Sequence, residues 1–425
     1  MSGWLQSKGV WPTTLRQGTF QTVIGQNVKL DIVVHHDSNA KQSDHGPLHS
    51  IAIRAVPLLT EKVEVDVTPP AKPFTDSSQE PDDNSLEARC KRFAQVKQTA
   101  SQQLSVVHVY VLVIAVFTLW PGEEYFVVHM QRKDQADLIS FLLYSQLASH
   151  LPSTTETDTG NETQPLLVSR AKFWEGAGPM LAGGWIPTLF TDDNARDLVK
   201  MSSSISHTQL LQLSTSVPRL SLESVQAING PIYSRYIPEL RQTLTFRCAR
   251  STSNADVDLV HRWHASDRVN KGWRQDMSRE KHREYLAAQE KSSGCVALIG
   301  QWDNEPFGYL EIYNVRESNL FDYYSVDEYD RGFHALVGEE KFRGPHRVRS
   351  WMGGIIHLLF LLDPRTKLVV SEPRASNAKM VGYECMCGGH VEKLIDFPHK
   401  RAALVHIPRE RFFQLCPIGP LPSTQ

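Results

Sequence analysis

His334 and Glu372 are the residues of this 425-residue chain whose types and spacing carry chemistry. His334 stands in an apolar run at 333–337 that ends at Gly338, and Glu372 follows 38 residues later, directly before Pro373. An imidazole and a carboxylate brought together can divide acid–base work. Between them lies the turn Arg343-Gly344-Pro-His-Arg347-Val348, ahead of a strongly apolar stretch. A glycine-containing turn that opens a helix presents unpaired N–H groups and the positive end of a dipole, which seats a pyrophosphate. Arg343, His346, Arg347 and Arg349 add cationic donors.

For the pair to meet, the strands carrying them must be adjacent and parallel, with the intervening helix as the crossover. Ligands favour the carboxyl edge of such strands. The flanking sequence supplies the frame. A strand is expected over 243–249, a helix from an Asp256 N-cap through Val260, Trp263 and His264, and a charged helix over 276–291. A hairpin is expected from 295–301 and 307–313, around the turn at 302–306. A strand at 333–337, a helix over 348–362 with Pro345 in its first turn, and a strand at 368–370 come next. A helix at 377–387 closed by Gly388-Gly389, then strands at 391–397 and 402–407, complete an α/β domain with a mixed sheet.

Residues 1–225 show no chemical motif and no legible repeat. Polar stretches at 36–49, 68–85 and 149–164 read as loops or linkers, and 22–34 and 51–56 as strand-like. The glycines at 176, 178, 183 and 184 lack dinucleotide-loop spacing and read as turn glycines. The apolar run at 106–120 is shorter than the roughly 20 residues a membrane helix needs. It is either a buried strand hairpin or a core helix, and periodicity does not separate the two.

Composition narrows the partners. With 45 Lys and Arg against 47 Asp and Glu, a formal charge of −2 and a pI near 6.8, overall attraction to nucleic acid or an anionic membrane is not built in. A content of 41% hydrophobic and 22% charged residues fits an ordinary soluble protein. Six cysteines without a C-x-x-C pair point to reduced, buried thiols. His357, His390, His399 and His406 have no metal-ligand spacing, so no metal is expected. The start of the chain has no apolar signal core, and its end is not a peroxisomal address, so a cytoplasmic location is expected, with a peroxisomal one as the alternative.

The motifs gain specificity when read together. They are His261-Arg-Trp263 with Asp267-Arg-Val269 and Trp273; Gly308-Tyr-Leu-Glu311-Ile-Tyr313; Asp330-Arg-Gly-Phe-His334-Ala-Leu-Val-Gly338; Phe342-Arg-Gly-Pro-His-Arg-Val348; Ser371-Glu-Pro-Arg-Ala-Ser-Asn377; and Phe397-Pro-His-Lys400-Arg-Ala-Ala403. In this order, over residues 235–413, the sequence resembles the GNAT superfamily of acyl-CoA-dependent N-acyltransferases. Within it, the resemblance is to the siderophore-biosynthesis branch of bacterial hydroxylysine and fungal N5-hydroxyornithine acyltransferases. Residues 1–225 resemble, more weakly, the divergent N-terminal domain of the fungal members.

The resemblance implies an α/β (α+β) fold for 235–413, with a mixed central sheet and a V-shaped opening between two central strands. Acyl-CoA, as acetyl-CoA or anhydromevalonyl-CoA, is the implied co-substrate. Its pyrophosphate would rest on Arg343, Gly344, Arg347 and Val348, and Asn377 matches a position that contacts it. Backbone N–H groups near Leu336 would form an oxyanion hole. His334 and Glu372 match the paired active-site positions, and His261, Trp263 and Glu311 are candidates for gripping the substrate. Ser376, where relatives often carry Asp, and a glycine-poor turn are departures.

A hydroxylamine nitrogen is largely neutral at pH 7. Glu372 is therefore expected to accept a proton and His334 to bind the hydroxylamine, with the reverse assignment open. The expected reaction makes a hydroxamate for a siderophore from small-molecule substrates, without nucleic acid, membrane or metal. N6-hydroxylysine or a simple amine as acceptor, or a catalytically silent binding module, are the alternatives.

Overall fold

The computed structural model describes residues 18–24, 28–36, 49–56, 59, 61–70, 90, 92–98, 103–120, 123–131, 135–144, 146–151, 163–175, 221–237, 240–363, 365–415 and 418. The polar stretches expected as loops, and the glycines at 176–184, fall largely outside them. The chain divides into two compact units, Met1–Ala182 with Asp192–Ser216 and Gly419–Gln425, and Gly183–Thr191 with Val217–Ile418.

The described part of the first unit is an eight-stranded sheet. Its strands are β1 (Gly18–Ile24), β2 (Val28–His36), β3 (His49–Val56), β4 (Val63–Thr68), β5 (Ala94–Gln98), β6 (Tyr125–Gln131), β7 (Ala148–His150) and β8 (Thr163–Ser169), in the order β1-β2-β3-β4-β5-β6-β8-β7. Only β5 and β6 run parallel, and a parallel pair needs a crossover. The apolar run supplies it as helix α1 (Val106–Leu119), which settles the open choice in favour of a core helix. Ser105 starts it with a capping box: its Oγ accepts from His108 N, and His108 Nδ1 accepts from Ser105 N. Helices α2 (Ala136–Tyr144) and α3 (Arg170–Trp174) follow β6 and β8.

The second unit begins with α4 (Leu222–Gln226) and β9 (Pro231–Ile237), earlier than the boundary expected at 235. After β10 (Gln242–Cys248) come helices α5 (Asn254–His264), α6 (Asp267–Trp273) and α7 (Arg279–Glu290). Ser253 caps α5, not Asp256. Asp256 is buried in the first turn, where it accepts two bonds from the Arg247 guanidinium at 2.7 and 2.8 Å and one from Arg250 N at 2.9 Å. Sequence spacing could not show that Arg247, across from it on β10, would claim the carboxylate.

The hairpin β11 (Cys295–Trp302) and β12 (Glu305–Asn314) leads to β13 (Arg331–Val337). Helix α8 (Pro345–Leu362), buried along most of its length, crosses to β14 (Leu368–Ser371). Helix α9 (Ala378–Met386), the hairpin β15 (His390–Phe397) and β16 (Lys400–Pro408), and α10 (Arg409–Leu415) finish the unit. Its sheet runs β9-β10-β11-β12-β13-β14-β16-β15.

This is the strand order of the first sheet with eight added to every number, and again the fifth and sixth strands are the parallel pair. A structural repeat is present where the sequence shows none. Among the described residues no helix is long and apolar enough to cross a membrane, and no disulfide joins the described cysteines.

Candidate active site

Strands β13 and β14 pair at only two positions, Arg331 with Val369 and Gly332 with Val370. His334 and Glu372 each lie two residues beyond the last rung, where that pairing has ended. On its other side β13 stays paired with β12 along its whole length, which sets Glu311 directly opposite His334. Gly332 matters here: a Cβ would fall 2.2 Å from the Tyr313 ring. Its absence leaves the ring room to reach Glu372.

The imidazole of His334 lies between two carboxylates. Its Nδ1 is 2.9 Å from Glu311 Oε2 and its Nε2 is 2.6 Å from Glu372 Oε1. Glu311 and Glu372 are buried, at 5% and 8% exposure, while the His334 side chain keeps 39% of its surface open. Tyr313 donates to Glu372 Oε2 at 3.0 Å, Tyr309 donates to Glu311 Oε1 at 2.9 Å, and Tyr285 also donates to Glu311 Oε1. Lys400 Nζ donates to the Glu372 carbonyl at 2.6 Å and stands 3.5 Å from its Oε1.

These partners decide the charge states. Burial alone would lower the His334 pKa, but Glu372 and the hydrogen bonds to both carboxylates overcome it and raise the value to about 10. Burial would raise Glu372; the charge of His334, its hydrogen bond and the charge of Lys400 instead hold it at about 2. Glu311 is likewise lowered, by His334 and two tyrosine hydroxyls, against the effect of burial. At neutral pH the site is therefore an imidazolium between two carboxylates.

Behind it, Glu384 on α9 is fully buried. Burial pushes its pKa up to about 8, against the neighbouring Ser371 hydroxyl and with the charge of Glu372.

The other expected residues are distributed unevenly. Glu311 does not stand free to grip a substrate, since three protein donors occupy its oxygens and it orients His334. Trp263 is 2% exposed and packed in an apolar cluster with Leu336 and Tyr309, its Nε1 donating to Glu339 at 2.9 Å. His261 points its Nδ1 to within 3.3 Å of His282 Nδ1. Trp273 faces His334 edge-on, with ring centres 6.1 Å apart. Trp273, Tyr313 and Lys400 belong to the motifs already quoted, so their neighbourhood was legible although their contacts were not. Tyr285 gave no signal, being one aromatic in a charged helix.

Helix α8 opens on Gly344 at φ 134° with no side-chain cap and no acidic residue in its first turn. This fits an anion seat. Arg343 is half exposed and donates to Glu340 at 2.7 Å. Arg347 instead donates to Gln242 at 2.7 Å and stacks over Trp302 and Phe342, 5.1 Å from each ring centre. Val348 is buried in the same turn. Asn377 is exposed, and its Oδ1 caps α9 by accepting from Met380 N at 3.3 Å.

Comparison with known proteins gives relatives for this geometry. A family model described as an acetyltransferase (GNAT) domain matches residues 252–397. The hydroxyornithine transacylase SID3 of Ajellomyces capsulatus is 34% identical over 329 residues, 75% of this chain and 74% of that protein. The N(5)-hydroxyornithine:cis-anhydromevalonyl coenzyme A-N(5)-transacylase SIDF of Beauveria bassiana is 40% identical over 271 residues, 59% of this chain. The matched region spans 58% of that relative's length. The N(6)-hydroxylysine O-acetyltransferase of Escherichia coli is 40% identical over 184 residues, 43% of this chain and 58% of that protein.

Proposed function

The chain belongs to the GNAT acyltransferase family of the fungal hydroxyornithine transacylases, and from that premise we propose that it acylates the hydroxylamine nitrogen of N5-hydroxy-L-ornithine from acyl-CoA. The product is a hydroxamate, a building block for a siderophore. The acyl group is acetyl or the larger anhydromevalonyl.

One observation carries the choice of acceptor. Near pH 7 no group of the site is poised to strip a proton from an alkylammonium, whose pKa is about 10.4. His334 is already protonated, with a pKa of about 10, and Glu372, at about 2, is a weak base. A hydroxylamine needs no such step, because its nitrogen is neutral and nucleophilic.

The chemistry follows from the charges. The nitrogen attacks the thioester carbonyl, forming the C–N bond and a strongly acidic N–H in the tetrahedral intermediate. Glu372 takes that proton, the C–S bond breaks, and coenzyme A leaves as its thiolate. With both N–H groups of His334 held by Glu311 and Glu372, its half-open face presents the positive charge of the imidazolium to the N–OH group. Arg343, Gly344 and the positive end of the α8 dipole seat the pyrophosphate. Backbone donors of β13 around Leu336, past the last β14 rung, polarise the carbonyl. Acyl-CoA supplies the activated acyl group.

The test uses purified full-length protein with acetyl-CoA and anhydromevalonyl-CoA against hydroxyornithine, N6-hydroxylysine and ornithine. Thiol release and product mass are read. Hydroxamate formed from hydroxyornithine at least about tenfold faster than amide from ornithine is expected, which corresponds to about 1.4 kcal/mol. Equal rates with ornithine overturn the argument from the charge states. Binding of acyl-CoA with no thiol release from any acceptor marks a silent module.

A further inference from the structure

We propose that the hairpin of β15 and β16 carries a transition-metal site, formed by His390, Glu392 and His406, that takes a divalent cation of the zinc class. The three lie outside the acyl-transfer site, and their sequence positions give no ligand spacing. The sheet brings them together. His390 and His406 are direct partners across the antiparallel pair, so their side chains rise on one face. The register shifts between Val391 and Lys393, which leaves Glu392 as the extra residue of a bulge. Bulges re-aim side chains, and this one sets Glu392 Oε2 3.5 Å from His390 Nε2 and 4.0 Å from His406 Nδ1.

All three ligand atoms lie within 4.8 Å of one another. Bonds of 2.0–2.1 Å in a tetrahedral site place ligand atoms about 3.3 Å apart. Rotation of His390 and Glu392, whose side chains are 46% and 49% exposed, closes the difference.

His406 is the fixed member. Its side chain is 14% exposed and packs against the Tyr324 ring at 4.9 Å between centres. Its Nε2 is buried without a partner in the described structure, so Nδ1 is the nitrogen it offers outward. Two imidazoles and one carboxylate suit zinc, nickel or copper better than magnesium or calcium, which prefer all-oxygen sets. The fourth position faces solvent and takes water. Lys393, whose charge reaches His406, works against the cation and limits affinity. A bound ion would tie the edge strand β15 to β16, whose first residue, Lys400, holds Glu372.

The experiment titrates Zn²⁺ into the metal-stripped full-length protein by calorimetry, with Mg²⁺ as control, and repeats it with His390→Ala, Glu392→Gln and the double variant His390→Ala/His406→Ala. The expected result is one Zn²⁺ site in the wild type, weakened at least about tenfold by each single change and lost in the double variant. A Zn²⁺-dependent rise in Tm should disappear with it. His390 and Glu392 are exposed, so both single variants decide the matter even if the double variant folds poorly. Retention of wild-type affinity and stoichiometry in the single variants overturns the proposal, as does a wild type that takes up no Zn²⁺. The proposal stands apart from the acyl-transfer reading, because metal binding is measured without turnover.

Discussion

The two sheets of this chain follow one strand order, and they part company at the fifth and sixth strands. In the first sheet, β5 and β6 stay paired over four rungs, from Ala94 with Phe126 to Lys97 with His129. In the second, β13 and β14 separate after two. With the first rungs set equal, Lys97 occupies the place of His334, His129 that of Glu372, and Asp66, opposite Lys97, that of Glu311.

The crossover helices differ too. Helix α1 begins with its own capping box, whereas α8 begins at an uncapped glycine. The first unit thus caps its crossover helix with a side chain of its own, and the second starts its crossover helix without one. The same strand order thus frames two different local environments.

Charge makes the contrast sharper. His129 Nε2 donates to Gln95 Oε1 at 2.9 Å. Burial and the neighbouring Lys97 charge lower its pKa to about 4, so it is neutral. His334, between two carboxylates, is a cation. One residue type on two equivalent strand pairs takes opposite states because its neighbours differ in sign.

The largest expected effect tests whether chemistry is confined to the second sheet. Glu372→Gln and His334→Ala should each lower kcat/KM by about 10² to 10⁴-fold. Lys97→Ala and His129→Gln should change it by less than about threefold. Near wild-type rates in both members of the first set remove the pair from the mechanism, and a large loss in the second set at unchanged Tm breaks the comparison itself.

Smaller effects belong to the helix starts. Coenzyme A should bind with one equivalent per chain, and Gly344→Ala should weaken it about tenfold, since φ 134° strains any residue with a Cβ. Ser105→Ala should cost about 1 kcal/mol of stability and leave coenzyme A affinity alone. A second equivalent bound by the wild type would show that capping does not close the first unit.

The mildest test is titration of the His334 ring by NMR. Its pKa is raised, so its stabilising contribution is complete below about 6.5 and lost as pH rises through about 10. Glu372 is depressed, so its contribution is complete above about 4.5 and lost as pH falls toward about 2. Glu311→Gln removes one carboxylate and should move the His334 titration downward. A wild-type ring that titrates near 6.5 contradicts the clamped imidazolium.

Much of the second unit was legible, because strong punctuation marks its elements. Pro345, Gly338 and Gly388 end or begin segments, and the motifs of β12, of β13 and of the end of β14 put Glu311, His334 and Glu372 in view. What the sequence could not hold was lateral information. It did not say that Glu311 would face His334 across β12 and β13, that Arg347 would turn inward onto Trp302, or that Arg247 would draw Asp256 away from a cap. Strand register decides the first and the packing of helices on the sheet the other two, and both are relations between distant segments. The first unit escaped for a related reason: its likeness to the second lies in connectivity, which leaves no trace in residue types.

The buried carboxyl of Glu384 has a consequence for the molecule in solution. Its pKa of about 8 means that folding at neutral pH takes up a proton there, and the cation at His334 takes up another. Each moves the charge of the native protein one step upward from the formal −2, counted with neutral histidines, and alkali that releases the two protons moves it back down. Two groups whose states are set inside the fold thus contribute to the overall charge that the native protein presents.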